Sequence, residues 1–408
     1  MVNFQFLSGL NTIGSNIIDI QAQSGRVIFD YGAIVDSESG GLADFEEETE
    51  DTAIFISHLH LDHTGSLQYV PKHIPIYMSR ESYELYKAFV EVGESAPISA
   101  EIIPVDYGST IHIGEINVTL KESDHDIKGV CAFFVQTPDI KLINSGDVRL
   151  TGNFPEKVKA WVEEAKDFQA DLLLLEGTSF SFIEEEPVES LDEEKVERIH
   201  SEPHLYEEWE KLLKENDTKI TFINTYIRNT DRLTRLSKQA FQQGKKMVLE
   251  PAYASILENI EGYTETLVLK ELDKKKQFED RWISMEEIVS NPEKYVLQNS
   301  IENISLIEPF SEGLYCHSNG EPLGDFDPRY EPFIQTIEKN NFEFKNFGTS
   351  GHANKEDLIW LAQEINAKTT IPWHSLYPEE FAKKLIEADL NTFLPQRDLI
   401  YGIQKKEH

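Results

Sequence analysis

Three histidines and one aspartate stand within six positions of the chain: His58, His60, Asp62 and His63. Imidazole and carboxylate are the side chains that a borderline cation such as zinc accepts as ligands. The apolar run Ala53–Ile56 precedes them, so a buried strand is expected to end where these residues begin. A tight loop there can direct the first two histidines to one metal ion and the other pair to a second. The alternative is a polar loop of structural histidines, but this spacing favours metal binding.

Residues of the same chemical type follow other predicted strands. His125 follows the strand that ends at Lys121, Asp147 follows the strand that ends at Asn144, and His374 closes a strand near the C-terminus. Two ions sharing one water would lower its pKa and neutralise charge on a phosphorus or carbonyl centre. The predicted ligand sets are His58, His60 and His125 for one zinc ion, Asp62, His63 and His374 for the other, and Asp147 as the bridge.

The order of these residues resembles that of the metallo-β-lactamase superfamily. The stretch from His58 to His63 matches its HxHxDH signature, and His125 and Asp147 match its third and fourth motifs. The segment Val27–Gly32 is similar to the first motif, in which Asp30 would support the metal loop from behind the ligands. The resemblance implies two Zn²⁺ ions, or Mn²⁺ in their place, and an α/β fold with a four-layer αββα core.

Three further segments resemble the motifs of the β-CASP branch, which includes ribonuclease J and the mRNA 3′-end cleavage endonuclease. Leu174–Thr178 is similar to the acidic motif A, Thr349–Ala353 to motif B, and Pro372–His374 to motif C. The resemblance covers residues 4 to about 390. It implies a metallo-β-lactamase core and an inserted α/β β-CASP domain, and the predicted divisions are 1–179 for the first part of the core, 180–345 for the insert and 346–408 for the return to the core.

The resemblance implies that Glu176, His352 and Asp62 are catalytic. His352 would donate a proton to the leaving oxygen or hold the scissile phosphate. Glu176 would orient His352 and raise its pKa, because a nearby carboxylate favours imidazolium. Without such roles, His352 would be an ordinary histidine near a helix start, and Glu176 a strand-end carboxylate paired with a cation.

Within the predicted insert, strands and helices alternate as in a small parallel α/β unit. A strand over Lys219–Asn224 leads into a helix over Thr230–Gln243, and a strand over Lys246–Glu250 follows. We also expect a strand at Ile304–Ile307. Asn354 is predicted to cap a helix in the returning part of the core.

Charge limits what the chain can bind. It has 38 basic and 73 acidic residues among 408, a net charge of −35, which would repel a polyanion unless basic residues were focused locally. The insert offers a candidate basic track, since a helix from Thr230 would align three cations on one face, although taken individually these cations are better explained as solvated helix charges. The acidic blocks at 44–51 and 184–197 are predicted to be solvated. The track would comprise Arg228, Arg232, Arg235, Lys238, Lys245 and Lys246.

The start of the chain lacks the pattern of a secretory signal, and no apolar run reaches membrane-spanning length. The two cysteines, Cys131 and Cys316, are far apart and are expected to be free thiols in a reducing compartment. We therefore expect a cytoplasmic protein without a membrane partner. The bacterial relatives in this branch suggest a homodimer.

These features favour a zinc-dependent phosphodiesterase that cuts RNA or single-stranded nucleic acid. The alternative is a di-zinc hydrolase of small phosphoesters, lactones or thioesters that does not bind nucleic acid. A third hypothesis, a non-catalytic scaffold, leaves the ligand set unexplained. Three departures from ribonuclease J weigh against its 5′-end recognition: Gly177 replaces the usual serine, Ser318 alone remains of a serine-rich phosphate-binding turn, and no separate C-terminal domain is expected after His408.

Overall fold

A computed structural model describes residues 1–33, 41–45, 51–182, 199–324 and 327–403. The chain forms two compact units, Met1–Glu194 together with Gly351–His408, which we call the core, and Lys195–Ser350, which we call the insert. The domain boundaries expected after residues 179 and 345 stay predictions. Most of the first acidic block and all of the second lie outside the described residues.

Twenty strands and ten α-helices are assigned in the described ranges. The strands are β1 (Val2–Ser8), β2 (Ile17–Gln21), β3 (Arg26–Phe29), β4 (Thr52–Ile56), β5 (Ile76–Ser79), β6 (Ile102–Val105), β7 (Thr110–Ile113), β8 (Ile116–Glu122), β9 (Cys131–Gln136), β10 (Lys141–Asn144), β11 (Leu172–Glu176), β12 (Thr221–Thr225), β13 (Lys246–Leu249), β14 (Leu267–Leu269), β15 (Trp282–Ile283), β16 (Tyr295–Gln298), β17 (Gly313–Ser318), β18 (Phe342–Asn346), β19 (Thr369–Trp373) and β20 (Tyr401–Ile403). The helices are α1 (Leu61–Thr64), α2 (Arg80–Val92), α3 (Pro155–Phe168), α4 (Glu202–Glu215), α5 (Thr230–Gln242), α6 (Pro251–Ile256), α7 (Met285–Ser290), α8 (Tyr330–Lys339), α9 (Lys355–Ile365) and α10 (Pro378–Glu387).

The core contains two mixed sheets that face each other across an apolar layer. The strand orders are β20-β1-β2-β3-β4-β5-β6 and β19-β11-β10-β9-β8-β7. Phe29 and Phe55 of the first sheet share one buried cluster with Phe133, Leu174 and Trp373 of the second. Because these side chains are fully removed from water, their burial is the main force that joins the sheets.

Helices cover the outer faces of both core sheets. Trp161 of α3, Leu361 of α9 and Phe381 of α10 pack in one cluster with Leu173 of the second sheet. Helix α2 contacts β5 and β6 of the first sheet, and it buries Phe89. The layer order is helix, sheet, sheet, helix, which confirms the predicted four-layer αββα core.

The insert is a seven-stranded parallel sheet with the order β15-β14-β13-β16-β12-β17-β18. Helix α8 covers one face, where its Phe333 packs in a cluster with Phe222 and Tyr315. The buried side chains of α5 belong to no part of that cluster, and this helix contacts β13 from the opposite face. Helices on both faces of a parallel sheet are the α/β arrangement expected for the insert.

One prediction for the insert is wrong. Ile304–Ile307 is not a strand but the end of a 3₁₀ helix over Ile301–Ile307. Side-chain bonds bend this segment, since Asn299 donates to the Asn303 carbonyl and Asn303 donates to the Glu250 carboxylate.

Three of the six cations in the candidate basic track of the insert are buried. Arg232 is fully buried, and its guanidinium lies 2.6 Å from Glu202 Oε1. The Lys245 ammonium is also buried and donates to the Glu293 carbonyl at 2.7 Å. Arg228 is buried as well. The exposed cations of the track are Arg235, Lys238 and Lys246.

Within the described ranges, none of the helices has both the length and the apolar content needed to cross a membrane. Cys131 and Cys316 are both buried free thiols, in agreement with the sequence.

Candidate metal centre

Strand direction brings the predicted site residues together. In the second core sheet, β8, β10, β11 and β19 run the same way, because β9 is antiparallel to both of its neighbours. The carboxyl ends of these four strands therefore meet at one sheet edge. In the first sheet, the parallel pair β3 and β4 ends at Asp30 and at the histidine loop. The residues that follow the ends of the four strands are His125, Asp147, Glu176 at the last position of β11, and His374.

Two groups of potential metal ligands result, and Asp147 belongs to both. The ligand atoms of each group lie within 4.8 Å of one another. All seven residues predicted to bind metal are in these groups, and five of them are buried. The first group is His58, His60, His125 and Asp147, and the second is Asp62, His63, Asp147 and His374.

The Asp147 carboxylate lies at the centre of the histidines. Its Oδ2 is 3.3 Å from His63 Nε2, 3.5 Å from His374 Nε2 and 3.6 Å from His58 Nε2. Among the described residues, neither carboxylate oxygen of Asp147 has a hydrogen-bond partner, and neither does His58 Nε2. Buried polar atoms are almost always satisfied, so these atoms fit a role as ligands of a cation. The mixed nitrogen and oxygen donors suit zinc.

Asp30 lies behind the cluster, as the sequence predicts. Its Oδ1 accepts a hydrogen bond from the Ser57 backbone N–H at 2.7 Å, and its Oδ2 is 2.8 Å from His63 Nδ1. An Nδ1–H that donates to Asp30 leaves His63 Nε2 as the basic nitrogen beside Asp62 and Asp147. A carboxylate behind a ligating histidine fixes its ring orientation and raises its basicity.

Two further supports were missed in the sequence. His125 Nδ1 contacts the carbonyl oxygen of Gly351, so His125 has Nε2 available for a metal. Asp126 Oδ1 lies 3.3 Å from His60 Nε2, while His60 Nδ1 is 3.2 Å from His125 Nε2. The position of Asp126 beside a predicted ligand was a usable signal. The contact with Gly351 left no such signal, because its carbonyl lies 226 positions from His125 in the chain.

The backbone at Gly32 approaches the backbone of the loop His58–His63 closely. A Cβ atom on Gly32 would lie 1.9 Å from the Asp62 carbonyl oxygen. That same oxygen accepts from the Asn16 backbone N–H at 2.7 Å, and Tyr31 N–H donates to the His63 carbonyl at 2.7 Å. Asn16 also approaches the cluster with its side chain, since Nδ2 is 2.9 Å from His63 Nε2. No sequence pattern marked Asn16 as part of the site.

Glu176 and His352 form the pair that the sequence predicts. Glu176 is fully buried, and its Oε1 lies 3.3 Å from His352 Nδ1. Its Oε2 accepts a hydrogen bond from the Thr178 backbone N–H at 2.8 Å. The His352 side chain is 21% exposed, and its Nδ1 is 3.9 Å from Asp147 Oδ2. The pair therefore lies beside the ligand groups with His352 accessible to solvent.

The electrostatics of the cluster separate the histidines into two kinds. Burial lowers the pKa of His58 well below its usual value, and burial with the neighbouring His352 lowers the pKa of His125 to about 3. Burial would also lower the pKa of His63, but Asp147, Asp62 and Asp30 together raise it well above its usual value. The first two are neutral imidazoles near neutral pH, the form that binds metal.

Carboxylates and His352 complete the charge balance. Burial would raise the pKa of Asp147, but His374 and His63 hold it well below its usual range, and His63 and His374 do the same for Asp62. Burial would lower the pKa of His352, yet Glu176 raises it to about 9. The site thus combines anionic ligands with a protonated imidazole.

Family models match two stretches of the chain. Residues 44–221 match the beta-lactamase superfamily domain, and residues 340–395 match the Zn-dependent metallo-hydrolase RNA specificity domain. The second stretch contains the predicted motifs B and C.

The chain is also similar to other proteins over much of its length. The chain is 23% identical to a ribonuclease J of Pyrococcus abyssi, over 92% of this chain and 90% of that protein. It is 25% identical to a ribonuclease J of Mycoplasma genitalium, over 59% of this chain but only 42% of that protein. A crystal structure of a protein of unknown function from Enterococcus faecalis superimposes with a TM-score of 0.82, at 27% identity over 98% of this chain and 99% of that one.

Proposed function

The chain belongs to the metallo-β-lactamase superfamily, in its ribonuclease J-like β-CASP branch, and from this premise we propose that it is a metal-dependent ribonuclease. Its substrate would be RNA or another single-stranded nucleic acid, and it would hydrolyse phosphodiester bonds. The observation that carries the proposal is the Glu176–His352 pair beside seven side chains that could bind metal. Such a pair supplies a positioned proton donor, which the breaking of a phosphodiester bond needs.

We propose two zinc ions, or manganese ions in their place. His58, His60 and His125 would hold one ion, Asp62, His63 and His374 the other, and Asp147 both. Bound ions of this kind lower the pKa of water and neutralise charge that builds up on phosphorus. Asp30 would keep the His63 ring in place from behind.

The side chains of the chain itself supply the remaining steps. Glu176 stabilises the imidazolium form of His352, whose accessible ring can pass a proton to the leaving oxygen or bind the scissile phosphate. The carboxylate of Asp62, partly exposed beside His63, would orient the attacking water in addition to binding metal. A cytoplasmic location and a homodimer remain predictions.

A second candidate is a hydrolase of small phosphoesters, lactones or thioesters. The net charge of −35 favours it, as does the burial of Arg228, Arg232 and Lys245, because both weaken attraction of a polyanion. The same metal cluster and the same proton donor would serve this chemistry.

One set of assays separates the candidates. Metal content is measured on the purified protein, and turnover is followed on labelled single-stranded RNA and on bis-p-nitrophenyl phosphate. We expect bound metal, RNA cleavage, and a loss of about 10²–10⁴-fold in kcat for His352→Ala and for Glu176→Gln. The control is His112→Ala, which removes an exposed histidine elsewhere in the core.

The outcomes have distinct meanings. Glu176→Gln keeps an acceptor for Thr178 N–H, so unchanged metal content with a lower kcat would point to chemistry rather than folding. Turnover of the small diester without RNA cleavage at physiological salt would favour the second candidate. Inert, metal-free protein would reject both.

A further inference from the structure

The insert sheet has a topological switch point between two neighbouring strands. From β12 the chain passes through α5 towards β13, whereas from the adjacent strand β17 it passes through α8 to β18 in the opposite direction. The connections of adjacent strands thus leave in opposite directions. In open α/β sheets, ligands bind outside the carboxyl ends of the strands at this point.

Buried polar side chains lie at the end of β12 and on its other neighbour, β16. Thr225 and Gln298, the last residues of β12 and β16, are fully buried, and Asn229 caps the start of α5 with only 3% exposure. Among the described residues, Thr225 Oγ1, Gln298 Nε2 and Asn229 Nδ2 have no hydrogen-bond partner. Such atoms are rare in folded proteins and call for a ligand or water.

The three side chains lie on the same face of the sheet. Phe222 and Leu297 point into the cluster under α8, so their strands present alternate residues to the opposite face. Thr225 is three positions after Phe222, and Gln298 directly follows Leu297, so both face the side that α5 covers. Asn229 lies on that side as well, at the N-terminus of this 13-residue helix.

The chemistry of these atoms selects an acceptor. Two amide NH₂ groups and a hydroxyl are available as donors, because Asn229 Oδ1 already accepts from the Arg232 backbone N–H at 3.1 Å and Gln298 Oε1 from that of Glu250 at 3.0 Å. The N-terminus of a helix adds a partial positive charge. Donors at a helix N-terminus suit a phosphoryl group.

We propose that the insert binds the phosphoryl group of a nucleotide at Asn229, Thr225 and Gln298, at the N-terminus of α5. The loop between β12 and α5 contains no glycine. Because glycine is what lets a backbone approach a pyrophosphate closely, this loop does not fit a pyrophosphate. A single phosphate or phosphodiester group is therefore the fitting ligand. It would come either from a free mononucleotide or from one nucleotide of an RNA chain.

The decisive variant is Asn229→Asp. It keeps the side-chain oxygen that caps α5, and aspartate is as good a cap as asparagine, so the fold is expected to hold. It replaces the NH₂ donor with a negative charge that repels phosphate. Thr225→Val is the second variant, since it removes the hydroxyl at nearly constant shape. Ser284→Asp places the same charge at the start of α7 in the insert and serves as control.

Binding is measured by calorimetric titration of the full chain carrying His352→Ala, so that RNA stays intact. The probes are inorganic phosphate, uridine 5′-monophosphate and a short oligouridylate. We expect Asn229→Asp to weaken binding at least about tenfold and Thr225→Val to weaken it less, with Ser284→Asp unchanged.

The probes identify the source of the phosphate. An effect on the mononucleotide assigns the site to free nucleotides, and an effect on the oligonucleotide alone assigns it to RNA. If Asn229→Asp changes binding of none of the probes, the buried groups hold water only and the inference fails. The proposed nuclease activity is tested separately by RNA cleavage, so the two can fail independently.

Discussion

At the residue scale, the histidines of the candidate metal centre are held by partners on their second ring nitrogens. Ser57 Oγ lies 3.0 Å from His58 Nδ1, and Asp30 Oδ2 lies 2.8 Å from His63 Nδ1. The Gly351 carbonyl plays the same part for His125. These contacts fix which nitrogen of each ring is basic, and so they prepare the ligand positions before any cation binds.

Asp126 is expected to do this for His60. Asp126→Asn should lower metal affinity about 10- to 100-fold, because the outer partners of ligating histidines contribute that much. The carboxylate lies 3.3 Å from His60 Nε2, and an amide would hold that ring less firmly. Competitive titration with a zinc chelator measures the change.

Asp106→Asn is the matched control for Asp126→Asn. It removes an exposed carboxylate that pairs with Arg80 and belongs to neither group of potential ligands. Equal metal affinity in the two variants would show that Asp126 does not orient His60.

At the element scale, the sequence predicts elements where a local pattern carries the information. The apolar run before His58 became β4, and Asn354 caps α9 as predicted, with its Oδ1 accepting from the Asp357 N–H at 2.7 Å. Strand β1 was not predicted, although alternate residues of Val2–Ser8 are buried in the usual strand pattern.

Contacts between residues that are distant in the chain could not be predicted from the sequence. The helix pattern places Arg232 on a face with Arg235, but the buried Glu202 that neutralises Arg232 comes from another helix. Similarly, no residue near His125 in the chain indicates that the Gly351 carbonyl contacts it. The predicted ligands, by contrast, all follow strand ends or lie in one short loop, so topology alone brings them together.

Gly32 is the element-scale position whose change should matter most. In Gly32→Ala, the new Cβ would meet the Asp62 carbonyl oxygen at 1.9 Å, and since that atom is backbone, the metal loop has to shift. We expect a loss of metal content and a decrease of about 1–3 kcal/mol in unfolding free energy, the usual range for overpacking.

Gly41→Ala provides the comparison for Gly32→Ala, because a Cβ there meets nothing within 4 Å. Metal analysis and thermal unfolding are run on both variants. Full metal content in Gly32→Ala would mean that the loop accommodates the methyl group elsewhere.

At the scale of the whole molecule, the ligand groups join the two sheets of the core. His58 to His63 follow β4 of the first sheet, while His125, Asp147 and His374 follow strands of the second. An ion bound at a thousand times its Kd adds about 4 kcal/mol to stability. Metal removal should therefore loosen the core and leave the insert unchanged.

Hydrogen exchange tests this expectation region by region. After chelation, peptides covering 52–65 and 369–375 should exchange faster, and peptides covering 221–249 of the insert should not. Re-addition of zinc should restore protection. Equal acceleration in both units would indicate global destabilisation, and no acceleration anywhere would mean that bound metal does not stabilise the core.

The charge distribution predicts how RNA binding responds to salt. Single-stranded nucleic acid loses affinity with a logarithmic slope of about −0.7 for each phosphate that a cation neutralises. Of the six cations expected to form a track, Arg235, Lys238 and Lys246 are exposed, which corresponds to a slope of about −2. Substituting all three by alanine should bring the slope close to zero and weaken RNA binding at low salt. The slope is measured by titrating labelled RNA at several salt concentrations. All proteins in this comparison carry His352→Ala, so that they do not cleave the RNA. A slope steeper than about −4 in the starting protein would require a basic surface beyond these three cations, and the prediction would be wrong.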